Sequence, residues 1–146
     1  MTGDYLAADP TCWCNDATEI TKLPADVRPY LPQEEPMLLI DELVSVGERC
    51  GRVRARMPEG HPLADASGYF DETVHIEMVA QGIATINSFH QTAEQRENTT
   101  GFLMSVRDFE VARPLRAGET AAVDVEKVTK LGDFGVVHGT VMRDGE

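Results

Sequence analysis

The stretch FDETVHIEMVAQGIATINSFHQ, Phe70 to Gln91, decides how the rest of the chain is read. Apolar residues cover almost its whole circumference, so it reads as a helix buried on nearly every side. Yet Glu77 and Gln81 stand in the middle of its first half. A buried helix carries an ionisable acid only where something pairs with that acid or uses it. At about 100° per residue, with Glu77 at zero, Gln81 falls near 40°, Thr85 near 80° and Ser88 near 20°. These four make one narrow polar stripe among Val79, Ile83, Ile86 and the alanines. His75 lies about 160° from Glu77 on the same wheel, so the two cannot pair within one helix. The stripe predicts a pocket or a second subunit along that face.

On either side of the helix the pattern is β. Upstream, MLLIDELVSV from Met37, a turn at Gly47-Glu48 and GRVRARM read as a hairpin, preceded by a short helical turn in PADVRPYLPQEEP that Pro29, Pro32 and Pro36 break. Residues 58–71 are turn-rich and lead into the helix, which is expected to run to about Ala93. After EQRENTTG, strands are expected over 102–112, 119–130 and 134–143, separated by RPLRAGE and KLGD. Two strands, one long apolar helix and three strands with hairpin-length connections give an α+β domain, an antiparallel sheet against a single helix. Residues 1–24 lack sustained periodicity and read as an N-terminal extension, with Tyr5 and Trp13 as anchors, while 25–146 form the domain. Asp144-Gly145 is a hairpin-turn signal without a return strand, so the domain is expected to lack its last strand or to leave an edge exposed.

The size of 146 residues suits one domain. With 13 Lys and Arg against 25 Asp and Glu the net charge is −12, which argues against a nucleic-acid partner. No basic and apolar leader opens the sequence, and no run approaches the roughly 18 apolar residues of a membrane span, so a cytoplasmic location is expected. Cys12, Cys14 and Cys50 read as unligated thiols, because no second Cys or His pair stands at metal-ligand spacing. Neither a metal nor another cofactor is implied.

LPQEEPMLLIDELVSV, IEMVAQGIA and FEVARPLRAGETAAVDVEKV, in that order and spacing, resemble the hotdog-fold beta-hydroxyacyl-acyl-carrier-protein dehydratases, in the divergent branch associated with aryl polyene biosynthesis. The resemblance runs from about Pro29 to Met142. It implies a hotdog fold, an antiparallel sheet wrapped round one long central helix, normally dimeric with active sites at the subunit interface. It also implies a dehydratase acting on 3-hydroxyacyl thioesters held by acyl carrier protein, in fatty-acid or polyene-type biosynthesis. In such enzymes a loop His removes the α-proton and a helix carboxylic acid protonates the departing β-hydroxyl. Glu77 matches the carboxylate, and burial of an acid there disfavours its charged form. Gly60-His61-Pro62-Leu63 replaces the family's G-H-F-P-G loop, which makes His61 the candidate base although it stands farther from the acid than in the family pattern. Gln81, beside Glu77, is the candidate substrate-binding residue.

In GRVRARM, Arg52, Arg54 and Arg56 share one strand face, a cationic stripe that could receive an acidic carrier protein or could be an ordinary solvated sheet face. Two function classes follow. One is a dehydratase, which the intact E-x-x-A-Q helix favours. The other is a non-catalytic or half-catalytic hotdog subunit that binds acyl thioester and pairs with an active dehydratase, which the altered His loop favours. Either implies a homodimer or a heterodimer with another hotdog subunit.

Overall fold

The computed structural model of the chain describes residues 23–98 and 101–144. An antiparallel sheet is built from β1 (Ala25–Asp26), β2 (Glu42–Val46), β3 (Cys50–Arg56), β4 (Thr120–Leu131) and β5 (Phe134–Arg143), which neighbour one another in that order. The long helix α1 (Glu72–Phe89) packs on β3, β4 and β5, and a short helix α2 (Ala93–Asn98) follows it. One antiparallel sheet with one central helix is the hotdog arrangement that the family resemblance implies.

Period-two alternation builds the inner face of the sheet. In β3 Val53 and Ala55 are fully buried while Arg52, Arg54 and Arg56 take the other face, and in β4 Ala121, Val123 and Val125 repeat the pattern. Met78 and Ile86 of α1 complete the core. Gly82 lets the helix come close, since a Cβ there would lie 3.1 Å from Val125 and 3.5 Å from Val53. The helix begins at Asp71, whose carboxylate accepts the Thr73 hydroxyl at 2.6 Å and the Thr73 N–H at 2.9 Å. Those two bonds hold the Asp71 carboxyl below the usual carboxylate range.

Several expectations shift. The helix ends at Phe89 rather than near Ala93, and Arg96 donates to Ser88 O in its last turn at 2.8 Å and to Gln91 O just beyond it at 3.1 Å. The first hairpin strand begins at Glu42 rather than Met37, because the Met37 and Leu38 N–H groups both turn back to Glu34 O. Residues 102–112 form no strand. Phe102, Leu103, Met104, Val106 and Phe109 are exposed, Asp108 has a left-handed φ of 52°, and none of the five strands pairs with the segment. A strand needs a neighbour for its backbone groups, and this segment has none within the sheet. Cys50 is buried and disulfide-bonded rather than a free thiol. Tyr5, Cys12, Trp13 and Cys14 lie outside the described residues.

Asp41, at the mouth of β2, is a costly residue for the fold. Its backbone is tied at both ends, with Asp41 N–H to Arg54 O at 2.8 Å and Val27 N–H to Asp41 O at 3.1 Å, while its Oδ2 is buried without a partner. Burial pushes the carboxyl up from 3.8, and the Arg56 N–H and charge only partly oppose it. A raised folded-state value means that the stability contribution is full below 3.8 and is lost as pH rises through the folded value. Asp41→Asn is therefore expected to raise the melting temperature at pH 7 and to give no gain at about pH 3. A melting temperature equally changed at both pH values would contradict this.

Candidate active site on the central helix

The i, i+4 spacing of α1 brings Glu77 and Gln81 together, and Gln81 Nε2 donates to Glu77 Oε1 at 2.9 Å. Glu77 is half-buried, and among the described residues no Lys, Arg or His forms an ion pair with it. Gln81 is 1% exposed, and its remaining polar groups are also used inside the chain. Nε2 donates to Met37 O at 2.6 Å, and Oε1 accepts the Leu39 N–H at 2.9 Å. With both N–H groups in use, the oxygen already accepting one bond and the side chain 1% exposed, Gln81 is held by the chain itself. Thr85 continues the stripe and is likewise satisfied internally, through its hydroxyl to Gln81 O at 2.8 Å. The polar stripe thus splits: Gln81 and Thr85 in its middle are buried, while Glu77 and Ser88 at its two ends are half-buried.

His61 is half-buried on the loop before α1, edge-on to Phe70 with ring centroids 5.3 Å apart. The Leu63 N–H donates to its Nδ1 at 3.1 Å. His61 and Glu77 make no hydrogen bond or ion pair with each other within the chain. An open cleft of about 460 Å³ lies between the loop and the start of α1, lined by Leu63, Tyr69, Phe70 and Pro114 among others, but Glu77, Gln81 and His61 do not line it.

The other histidines lie on α1, at its C-terminal end and in β5. His75 is buried, accepts the Leu115 N–H on Nε2 at 3.0 Å, and so carries its proton on Nδ1, 3.2 Å from Glu72 O. His90 Nε2 lies 2.8 Å from Gly47 O, and His138 sits in β5 opposite Glu126.

The arginine stripe on β3 is placed on one face as expected, yet most of its charge is matched there. Arg52 grips Asp124 with two bonds, Nε to Oδ1 at 2.6 Å and Nη2 to Oδ2 at 2.8 Å, and Arg54 meets Glu42 at 3.2 Å. Strand register makes these pairs, since Arg52 stands opposite Asp124 and Arg54 opposite Glu42. Only Arg56 of the three is exposed and outside a salt bridge, so a three-residue docking stripe does not stand open. The Met37–Leu39 loop is a site element that sequence reasoning missed. No group of three or more His, Cys, Asp or Glu that could hold a metal occurs among the described residues, and no helix there is long and apolar enough to cross a membrane.

No curated protein matches the chain. Among solved structures it is similar to the dehydratase heterocomplex ApeI:P from Xenorhabdus doucetiae, with a TM-score of 0.71 and 22% identity over 86% of this chain and 84% of that one. That likeness is one of fold. Residues 25–146 match the model of a family described as ApeP-like, ApeP dehydratase. The E-x-x-A-Q helix with its clamped carboxylate, the sheet about it and this match agree, and the chain belongs to the ApeP-like dehydratase family.

Proposed function

We propose that the chain acts as a cytoplasmic dehydratase on 3-hydroxyacyl thioesters carried by acyl carrier protein, in fatty-acid or polyene-type biosynthesis, with Glu77 as the acid. The observation that carries this reading is a half-buried carboxyl midway along an apolar helix, steadied on one oxygen by Gln81 and neutralised by no cation among the described residues. In the reaction an imidazole takes the α-proton, the Cα–Cβ double bond forms as the Cβ–O bond breaks, and Glu77 gives its proton to the departing hydroxyl, which leaves as water. His61 is the base that this chain can offer.

One observation favours a second reading. Because the Leu63 N–H donates to Nδ1, the neutral His61 ring carries its proton on Nε2 and has no lone pair left there for a base. On that reading the chain is the half-site that supplies the acid, and a partner hotdog subunit supplies the imidazole. The exposed run Phe102, Leu103, Met104, Val106 and Phe109 supports pairing with a second hotdog subunit, either a copy or a different chain, since apolar surface on this scale marks an interface. The similar solved structure is itself a heterocomplex.

Enoyl-thioester formation from a 3-hydroxyacyl carrier thioester, measured for the chain alone and for the chain mixed with a second hotdog subunit, tests both readings. Turnover by the chain alone supports the complete enzyme. Turnover only in the mixture supports the half-site. Absence of turnover in both defeats the dehydratase reading.

A further inference from the structure

Gln81 joins two parts of the molecule that are 42 and 44 residues apart in sequence, since its side chain holds Leu39 N–H and Met37 O as well as Glu77. It is 1% exposed, both of its N–H groups are used, and its oxygen accepts one bond. The two N–H groups of one planar amide therefore fix the loop and the acid in a single geometry. Glu77 Oε1 is the oxygen that receives the N–H, so in the protonated acid that oxygen acts as the acceptor and Oε2 carries the proton. Oε2 has no hydrogen bond among the described residues. The loop itself is irregular between Glu34 and Asp41, and Met37 is exposed, so that its backbone position depends on what holds it from below.

We propose that Gln81 is a positioning residue that ties the Met37–Leu39 loop to the carboxyl of Glu77 and selects Oε2 as the oxygen that delivers the proton. The assignment of a proton to deliver rests on the dehydratase reading; the mechanical link between loop and acid does not. A carboxyl free to rotate presents its proton in the wrong place for part of the time, and misplacement by about 1 Å costs up to about 10²-fold in rate. Gln81 removes that freedom at the acid while setting the height of the loop beside it.

Two variants separate positioning from folding. Gln81→Met keeps the volume and removes all three bonds, whereas Gln81→Glu keeps an acceptor for Leu39 N–H and loses the ionised side chain's donors to Met37 O and Glu77. In both, kcat is expected to fall roughly 10- to 100-fold with KM changed by less than about threefold. A residue of merely structural use would lower the melting temperature while leaving kcat of the folded fraction unchanged, and that result overturns the positioning role. A second readout is independent of turnover. In spectra of the full chain, Glu77→Gln is expected to shift the Gln81 side-chain amide resonances, and Gln81→Met to speed hydrogen exchange at the Leu39 amide at least tenfold. If Glu77→Gln leaves the Gln81 amide unmoved, or Leu39 exchanges at the wild-type rate, the link is absent and the inference fails. If wild-type protein turns nothing over, alone or with a hotdog partner, the dehydratase reading fails and the amide signals still decide the link.

Discussion

Glu77→Gln is expected to lower dehydration by about 10²-fold or more, with little loss of stability. The amide has the shape of the acid and keeps an oxygen for the Gln81 N–H to find, but it has no proton to give to the departing hydroxyl. General-acid contributions typically run from about 10² to 10⁴, and a loss of about 10² corresponds to about 2.7 kcal/mol on the barrier. Stability responds to a different quantity. Replacing a half-buried carboxylate by a neutral amide relieves desolvation, so the melting temperature is expected to hold or rise. If Glu77 were only a structural carboxylate, the signs would exchange: turnover intact, melting temperature lowered.

The largest expected effect on stability lies at Gly51 in β3. A Cβ built there would collide with the Ile86 side chain of α1 and would stand 2.8 Å from Ser45 O. Ile86 has a rotatable tip, but the Ser45 carbonyl belongs to β2 beside the irregularity between Leu43 and Ser45, and it cannot move without the strand. Gly51→Val adds two methyls to that Cβ and is expected to cost roughly 1–3 kcal/mol, as overpacking of a core does. For a chain of this size that lowers the melting temperature by about 2–8 °C per kcal/mol. Gly101→Val, where an added Cβ meets nothing within 4 Å, is the control and should melt close to wild type. Ile86→Ala in the Gly51→Val background should recover part of the loss, because the two changes share one contact. Equal melting temperatures for Gly51→Val and Gly101→Val would show that the helix does not sit on β3 as closely as described.

What the sequence made legible was local. The alternation in residues 119–130 and 134–143 marks β4 and β5 almost to the residue, since the two strands pair with each other across a tight turn. Glu77 and Gln81 are neighbours by helical spacing alone. What escaped depends on partners far along the chain. Residues 102–112 carry strand propensity, but propensity makes no strand without a neighbour, and the sheet supplies none. Met37–Leu39 reads as the start of a strand because it is apolar. Its backbone groups are instead drawn to Glu34 and to Gln81, a side chain more than 40 residues on. The alternation of Arg52 and Arg54 was visible, but their neutralisation by Asp124 and Glu42 follows from register, which no single strand encodes. His75 stands across the wheel from Glu77, and its own partner, the Leu115 N–H 40 residues on, is one that only the fold reveals.

Dehydration by this chain depends on a proton delivered by Glu77. The most direct test is the initial rate of enoyl-thioester formation from a 3-hydroxyacyl carrier thioester by wild type and Glu77→Gln. Each is combined with the same hotdog partner and checked for an unchanged melting temperature. A rate at least about 10²-fold lower for Glu77→Gln is the predicted result; equal rates for the two folded proteins would contradict it.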